Sequence, residues 1–255
     1  MLFDAVRRLA VALSKRVLNA LPAAWLQGIL AKVAIHRARM LPPADGLRFL
    51  FGLDAALYSV QGELAIAYDR GIHTKHRHMR YHDFFVGRIH AGERVLDIGC
   101  GTGAVAYDVA GKAGAYVVGI DLSADNIALA RERYAHPRVE YRVGDALQEL
   151  PDGPFDVVIL SNVLEHLPER PEFLRCVQQV ARPSRILLRV PLFERDWRLP
   201  LKYELGVEWR LDPTHETEYT MESFTEEMTA AGLRITHQEV RWGEIWAEVA
   251  LNAKS

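Results

Sequence analysis

A run of nine residues, Val95 to Gly103, constrains the fold of this chain more than any other stretch. It reads Val-Leu-Asp-Ile-Gly-Cys-Gly-Thr-Gly. Its first half is an apolar run typical of a buried strand, and a helical pattern begins at about residue 104, directly after the glycines. The sequence therefore predicts a strand, a glycine-rich turn and a helix. Because glycine has no Cβ, the backbone of such a turn can come within contact distance of a ligand.

The spacing of the glycines and the acid that precedes them indicate the kind of ligand. The pattern G-x-G-x-G differs from the dinucleotide pattern G-x-G-x-x-G, and no Walker lysine follows it. Asp97 lies inside the strand just ahead of the turn. Phosphate groups have no need of a carboxylate at that place, whereas a ligand with an amine and a positive charge is attracted by one. S-adenosylmethionine, with its sulfonium, ammonium, carboxylate and adenosine, is such a ligand.

From Asp97 to Gly103 the chain resembles the first motif of class I S-adenosylmethionine-dependent methyltransferases, and three later motifs follow in the family's order. The resemblance covers about residues 81 to 251. It implies an α/β fold with a Rossmann-like, seven-stranded, mostly parallel sheet and an antiparallel C-terminal hairpin, and it implies S-adenosyl-L-methionine as the cofactor. Strand and helix patterns that alternate along the chain favour the same kind of parallel sheet.

An acid also ends the second apolar run, where Asp121 follows Tyr116 to Ile120. In a parallel sheet the ligand lies at the carboxyl ends of the strands, so this carboxylate can accept hydrogen bonds from both ribose hydroxyls. Asp121 comes 18 residues after Gly103, close to the spacing of roughly 20 used for ribose recognition. An acid here can also cap a helix, but Ser123 is the better N-cap for the helix that follows. We therefore interpret Asp121 as the ribose-binding residue.

The resemblance carries further cofactor contacts onto this chain, position by position. Asp145, after the third strand, takes the family's place near the adenine amino group, although an aspartate there can also cap a turn. Asn162 follows the fourth strand, where members of the family face the sulfonium and the substrate. The complete predicted set is Asp97, Gly99, Cys100, Gly101, Gly103, Asp121, Leu122, Asp145, Ala146, Asn162 and Lys75.

The stretch from His73 to His82 is the most basic and histidine-rich part of the chain. Three interpretations are open: a metal site, the solvated start of a helix, and a loop that places Lys75, His76 or Arg77 near the cofactor carboxylate or an anionic substrate. The spacing of its histidines matches no familiar metal site. We predict no metal ligands in this chain.

Two histidines are candidates for the general base that a hydroxyl acceptor requires. His166 follows the fourth strand at the mouth of the predicted site, beside Glu165, and its alternative role is to cap a helix. His215 lies in residues 192–219, which interrupt the alternation of strands and helices; the resemblance implies that this insertion forms part of the acceptor pocket. A catechol acceptor would instead require a divalent metal held by aspartates, and the sequence offers no convincing set of ligands for one.

Residues 1–80 are predicted to form a helical N-terminal extension or lid, ahead of a methyltransferase domain at residues 81–255. Residues 1–20 have the pattern of an amphipathic helix whose apolar face is flanked by arginines. Such a helix docks on the domain or lies at a membrane surface, and the sequence leaves both open. Lys15 and Arg16 interrupt the apolar run near the start, so we predict no signal peptide.

Two further helices are predicted in the extension. The first covers residues 23–40, and the proline pair that follows it ends the helix because proline cannot continue one. The second covers Leu47 to Gly71 and is predicted in pieces, with Gly52 and Gly62 as breaks.

Composition narrows the class of function and the compartment. The formal net charge is −2, so no overall basic balance points to nucleic acid, and we predict no nucleic-acid partner. Residues 1–40 nevertheless carry seven Lys and Arg against the single acid Asp4. Cys100 and Cys176 form no disulfide framework and indicate a reducing compartment. We therefore expect a cytoplasmic protein, with peripheral contact through residues 1–20 at the inner face of the membrane as a further hypothesis.

The sequence predicts an enzyme that transfers a methyl group from S-adenosylmethionine to an acceptor. The basic start and the Trp- and Arg-rich insertion favour a hydroxyl of a sugar or of a lipid-linked glycan of the bacterial envelope. The alternatives are a soluble small-molecule O- or C-methyltransferase and a cofactor-binding scaffold without turnover. The acceptor atom and the oligomeric state are not predicted.

Overall fold

The computed structural model describes residues 20–252, and its framework is a sheet whose strands follow the predicted apolar runs. Within these residues the sheet has seven strands in the order β3-β2-β1-β4-β5-β7-β6. The pairs from β3 across to β5 are parallel, and the pairs β5–β7 and β6–β7 are antiparallel. The strands are β1 (Arg94–Ile98), β2 (Tyr116–Asp121), β3 (Val139–Val143), β4 (Val157–Ser161), β5 (Arg185–Pro191), β6 (Leu233–Arg241) and β7 (Glu244–Leu251). The predicted fold class, with its C-terminal hairpin and N-terminal helices, is confirmed.

Helices cover both faces of the sheet, as expected where parallel strands are joined by crossovers. Shorter turns of 3₁₀ or π type lie at Val109–Ala113, Leu164–His166 and Phe193–Arg195. The helices of the described residues are α1 (Ala23–Arg39), α2 (Pro43–Tyr68), α3 (Lys75–Met79), α4 (Tyr81–Val86), α5 (Ala104–Asp108), α6 (Ala124–Arg133), α7 (Arg170–Val180), α8 (Arg198–Glu204) and α9 (Met221–Ala230).

The core lies on both faces of the sheet because its central strands are apolar on both sides. In β4, Val157 to Leu160 are fully buried, which is the continuous apolar pattern of a strand covered on two faces. One cluster of buried side chains includes Leu174 and Phe224 from the covering helices, and the cluster on the other face includes Phe85 and Ile127. Burial on both faces fixes the register of the strands, and with it the positions of their carboxyl ends.

The strand order places a crevice beside β1. From β1 the chain moves outward through β2 to β3, then returns to the other side of β1 to form β4 and β5. Neighbouring crossovers therefore diverge between β1 and β4, and such a point leaves room for a ligand at the carboxyl ends of the strands. The residues that follow these two strands, from Gly99 and from Asn162, face this crevice.

Helix α2 differs from the prediction in being continuous. Gly52 and Gly62, predicted as breaks, lie inside the helix, and a Cβ at either position would meet no atom within 4 Å. A glycine inside a helix costs about 1 kcal/mol relative to alanine, which weakens a helix but does not interrupt it. The chain instead turns at Arg80, whose φ of 52° separates α3 from α4.

The described residues divide into two compact units. One comprises those up to Gln61 together with Glu204–Val207, and the other comprises Gly62–Tyr203 with those from Glu208 onward. The boundary predicted at residue 80 stays a prediction; Tyr81, Phe84 and Phe85 of α4, which directly follow it, belong to a core cluster of the sheet. The predicted helix at residues 1–20 lies outside the described residues but for its last position. No helix between residues 20 and 252 is both long enough and apolar enough to cross a membrane.

A buried ion pair joins β5 to β7. Arg189 donates to both carboxylate oxygens of Glu244, with N···O distances of 2.5 and 2.9 Å, and to Ser161 Oγ at 3.1 Å. Trp246 Nε1 also donates to Glu244, and the guanidinium lies 3.8 Å from the ring centroid of Tyr81. Both charged side chains are at least nine-tenths buried. The guanidinium thus links the two strands to α4.

The two ends of the insertion at residues 192–219 lie next to each other. Leu192 and Tyr219 form a parallel bridge, Phe193 N donates to Tyr219 O at 2.7 Å, and Tyr219 N donates to Pro191 O at 3.2 Å. Farther in, Glu216 N donates to Glu165 O at 2.7 Å. The insertion is therefore fastened to the segment that follows β4, directly at the crevice.

Candidate functional site

The glycine turn after β1 takes a backbone conformation that glycine favours. Gly99, Gly101 and Gly103 have φ values of 68°, 54° and 87°. A Cβ on Gly99 would lie 2.6 Å from Val163 Cγ2, and one on Gly103 would lie 2.6 Å from the hydroxyl of Tyr141. A Cβ on Gly101 would meet nothing within 4 Å. The outer two glycines are thus required by packing, whereas Gly101 borders open space.

Asp121 holds the turn in place from the end of β2. Its Oδ2 accepts from Gly101 N at 2.8 Å, and its Oδ1 accepts from Ser123 N at 2.9 Å and from Asn126 Nδ2 at 3.1 Å. Ser123 is the N-cap of α6, as the sequence predicted. A carboxylate oxygen has two lone pairs, so Oδ2 can still accept one hydroxyl. Ribose binding by Asp121 stays a prediction, and this geometry leaves room for one of the two hydroxyls that we expected it to bind.

Asp97 is a buried acid without a full set of partners. Its side chain is 1% exposed, and Oδ2 has no hydrogen-bond donor among the described residues. Burial, and then the neighbouring charge of Asp121, raises the pKa of Asp97 from 3.8 to about 8. An unpartnered buried carboxyl group beside an open glycine turn is suited to a ligand that brings a positive charge. Asp97, Gly101 and Asp121 therefore fit the ammonium and the nucleoside of S-adenosylmethionine.

We expect replacement of Asp97 by Asn to flatten the pH dependence of folding. Because the folded pKa lies above the unfolded value, the folded state retains the proton of Asp97 more strongly, and this protonation stabilises the fold. That contribution to the unfolding free energy is lost as the pH rises from about 4 to 8. The unfolding free energy of the wild type, minus that of Asp97→Asn, should fall by about 1 kcal/mol per pH unit between pH 5.5 and 7.5. Urea unfolding at three pH values measures this difference.

The control for that experiment is Asp152→Asn, because the side chain of Asp152 is 81% exposed. Its difference from the wild type should not vary over the same pH range. A difference for Asp97→Asn that is equally flat would contradict the raised pKa of Asp97.

Several predicted cofactor contacts lie close to the turn or at strand ends. Cys100 is buried, its N–H donates to Ile120 O and its carbonyl accepts from Gly103 N, so this residue serves the fold. Burial raises the pKa of its thiol well above the ordinary range.

Leu122 is exposed beside Asp121. Asp145 accepts from Leu147 N at 2.9 Å and caps a turn, with Ala146 half-buried next to it. Their contacts with the cofactor stay predictions.

Asn162 and Lys75 approach the site from different segments. Asn162 follows β4 with a φ of 56°, and its Nδ2 donates to Glu165 Oε1 at 2.7 Å. Lys75 is the first residue of α3, and burial, followed by the charge of Arg189, lowers the pKa of its amine. The left-handed conformation of Asn162 turns the chain back toward the 3₁₀ turn at Leu164–His166, which carries the first predicted base.

The structure brings both candidate bases together. His215 follows His166 by about 50 residues in sequence, yet their ring centroids are 4.6 Å apart and their planes are almost perpendicular. Glu165 is fully buried beside them, and its Oε2 has no donor within the described residues. One ligating atom from each of the three side chains lies within 4.8 Å of the other two. Burial raises the pKa of Glu165 to about 7, and burial followed by His215 lowers the pKa of His166.

Hydrogen bonds fix which nitrogen of each ring is free. Thr214 Oγ1 donates its proton to Asp212 at 2.7 Å, so its oxygen must accept from Nδ1 of His166, which is 2.9 Å away. Nδ1 of His215 lies 3.4 Å from a carboxylate oxygen of the buried Glu218, which can only accept. In each imidazole Nδ1 thus carries the proton, and Nε2 keeps its lone pair.

Sequence reasoning assigned no role to Glu165, and its three interpretations of the basic stretch did not include hydrogen bonds among the histidines themselves. His76 Nδ1 lies 3.0 Å from His82 Nε2, and His82 Nδ1 lies 2.7 Å from Asp108 Oδ2. Burial, and then the neighbouring charge of His82, lowers the pKa of His76 to about 4. This series of side chains connects α3 and α4 to α5. The adjacency of Glu165 to His166 was visible in the sequence, but the burial of its carboxylate was not.

Known proteins resemble this chain in sequence and in fold. A family model described as a methyltransferase domain matches residues 96–188. A ubiquinone biosynthesis O-methyltransferase of Rhodopseudomonas palustris is 32% identical over 156 residues, which is 58% of this chain and 61% of that protein. A probable chloroplastic tocopherol O-methyltransferase of Oryza sativa is 39% identical over 100 residues, or 37% of this chain and 28% of that protein.

A solved structure shares the fold at low identity. A TehB-like SAM-dependent methyltransferase of Corynebacterium glutamicum has a TM-score of 0.52 and 17% identity, with 79% of this chain and 100% of that chain covered. Because the chain spans 61% or less of the length of the two relatives above, their whole activities do not transfer directly. The match of residues 96–188 to the methyltransferase domain confirms the predicted class of domain, whose methyl donor is S-adenosylmethionine, and the solved structure confirms the fold alone.

Proposed function

Since residues 96–188 of this chain are a methyltransferase domain of the S-adenosylmethionine-dependent family, we propose that the protein methylates a hydroxyl oxygen of a small molecule. The observation that carries this proposal is the open space at Gly101 beside the unpartnered, buried Asp97. The turn packs against Val163, which leads directly to His166, and the ring of His166 lies 4.6 Å from that of His215, so a cofactor at the turn and an acceptor at the histidines would meet.

The residues of this chain would orient the cofactor and the acceptor and accept a proton from the acceptor. When bound, S-adenosylmethionine supplies an electrophilic methyl group for an in-line displacement. The turn at Gly101 and the carboxylates of Asp97 and Asp121 would hold and orient it. A hydroxyl acceptor must lose its proton as the new bond forms, and the unprotonated Nε2 of His166 or His215 is suited to a hydroxyl at hydrogen-bond distance. The assignment of a base to either histidine is part of the proposal.

The relatives favour a small-molecule acceptor over the envelope glycan that the sequence first suggested. They are a ubiquinone biosynthesis O-methyltransferase, a tocopherol O-methyltransferase and a 2-methyl-6-phytyl-1,4-hydroquinone methyltransferase of Synechocystis. The last is 31% identical over 153 residues, or 56% of this chain and 46% of that protein. These names describe acceptors with a hydroxylated ring. We propose an acceptor of this class, a phenolic or hydroquinone ring, for this chain.

Two measurements test the proposed function. Calorimetric titration with S-adenosylhomocysteine should give binding that Asp121→Ala weakens at least tenfold, about 1.4 kcal/mol. Transfer of a radioactive methyl group should then be seen with a catechol or hydroquinone and exceed that with sugar or lipid-linked glycan acceptors. Binding without transfer to any acceptor would favour the scaffold alternative, and no binding by the wild type would contradict the proposal.

Contact with a membrane surface remains a proposal for the N-terminal part. Helix α1, the described part of the basic segment, has no buried residue, and Trp25, Leu30 and Val33 are more than half exposed. A basic, apolar segment of this kind suits a lipid surface, and a cytoplasmic location at the membrane would suit an apolar acceptor. Sedimentation with anionic liposomes, with and without residues 1–20, tests this; equal sedimentation would contradict a role for those residues.

A further inference from the structure

The cluster at Glu165, His166 and His215 contains more ligating side chains than a general base requires. One imidazole accepts one proton, yet here two imidazoles and a carboxylate each have a ligating atom within 4.8 Å of the other two. We propose that these three side chains bind a divalent metal ion, and, resting on the proposed function, that this ion holds the hydroxyl oxygen of the acceptor. The sequence did not predict it, because the ligands come from two segments about 50 residues apart.

The carboxylate of Glu165 is the first argument for a cation. Its side chain is fully buried, and only Oε1 is satisfied, by the amide of Asn162 at 2.7 Å. Oε2 is buried and has no donor within the described residues. Such an atom costs folding free energy unless something pairs with it, and a cation between Oε2 and the two rings would do so.

The second argument is the way in which the rings are held. Metal-binding histidines usually donate their other N–H to a carboxylate or another acceptor, which fixes the tautomer and the ring. His166 does so through Thr214 and Asp212, and His215 does so toward Glu218. Glu218 is itself paired with Arg195. Each Nε2 is therefore left as a ligand, held by a second layer of hydrogen bonds.

The third argument is the ligand set and its geometry. Two imidazole nitrogens and one carboxylate oxygen form a mixed set that suits Zn²⁺ and other divalent first-row metals, and three protein ligands leave a position for another oxygen. The ligating atoms lie within 4.8 Å of each other, and an ion with ligands at about 2.1 Å would draw them inward. The bond from Glu216 N to Glu165 O fastens the two segments together next to this set.

A metal at this place would replace the separate general base. An acceptor hydroxyl bound to the ion has a lower pKa, so its O–H bond breaks and the proton passes to bulk water. The oxygen then forms a bond to the methyl carbon while the bond from that carbon to sulfur breaks, and the electron pair of that bond stays on sulfur. With the ion bound, both histidines would act together as ligands, and in its absence either one is available as the base of the proposed function.

Metal binding by the full chain tests the inference directly. After treatment with a chelator and its removal, the wild type should bind one Zn²⁺ per chain in calorimetry, and Co²⁺ should give the visible absorption bands of a site with nitrogen ligands. His215→Ala and Glu165→Gln should each weaken Zn²⁺ binding at least tenfold. Thr214→Val, which removes only the anchor of His166, should weaken it by a smaller factor. His36→Ala, a histidine on the exposed surface of α1, should leave it unchanged.

The same samples separate this inference from the proposed function. Titration with S-adenosylhomocysteine should be unchanged in the metal-site variants, and circular dichroism confirms that they are folded. A wild type that binds S-adenosylhomocysteine but neither Zn²⁺ nor Co²⁺ overturns the metal site and leaves the proposed function standing. Equal Zn²⁺ affinity in the wild type and in a folded His215→Ala also overturns it. A wild type that binds metal but no S-adenosylhomocysteine contradicts the proposed function instead.

Discussion

Gly101→Ala is expected to weaken S-adenosylhomocysteine binding at least a hundredfold, about 2.7 kcal/mol, while the protein remains folded. A Cβ at this position would meet no protein atom within 4 Å, so it would project into the space that we assign to the cofactor. The φ of 54° makes an alanine cost about 1–2 kcal/mol of stability, which a domain of this kind can bear. The loss should therefore be one of binding and not of folding.

Two other glycines serve as comparisons in this experiment. Gly232, after α9, has a φ of 74° and equally open surroundings, so Gly232→Ala should cost similar stability and leave binding unchanged. Gly103→Ala would place its Cβ against Tyr141, and it should destabilise the fold as well as weaken binding. Calorimetry and thermal unfolding of all three variants separate these effects. Normal binding by Gly101→Ala would show that the cofactor does not lie over the turn.

Glu244→Gln is expected to lower the unfolding free energy by about 3–5 kcal/mol, the largest stability change that we predict. Without the carboxylate charge, the guanidinium of Arg189 remains as an uncompensated charge that is only 3% exposed. The amide keeps the shape of the side chain, so the loss would report charge and not packing. Urea unfolding measures it.

The control is a surface pair with similar geometry. Glu140 accepts two bonds from Arg142 at 2.7 and 2.9 Å, but its side chain is 60% exposed. Glu140→Gln should therefore change stability by less than about 1 kcal/mol. If Glu244→Gln were no more destabilising than Glu140→Gln, the buried pair would contribute nothing beyond an exposed one.

The strands could be predicted because their signals are local. The predicted run Tyr116 to Ile120 forms β2, which extends by one residue to Asp121, and the glycine turn follows β1 as predicted. Apolar runs bounded by turn residues report burial directly, and the glycine pattern identified the turn that follows β1. The same local logic failed at Gly52 and Gly62, since a glycine inside a helix is tolerated when neighbouring turns maintain the hydrogen bonds.

The acceptor side of the site could not be predicted in the same way. His166 and His215 were identified separately as alternatives, because the insertion between them has no periodic pattern that would place one beside the other. The two rings lie side by side because of tertiary contacts, among them the hydrogen bond from Glu216 N to Glu165 O. The burial of Glu165 depends on the same packing.

The bridge between Leu192 and Tyr219 makes the insertion an exchangeable module. Because its two ends meet beside the end of β5, the loop between these residues can lengthen, shorten or be replaced without altering the register of β5 and β7. His215 and Glu218 belong to this loop, whereas Asp97, Gly101 and Asp121 belong to the sheet and its first turn. Selection, or an engineer grafting loops from other chains, can therefore alter what is methylated while the source of the methyl group stays the same.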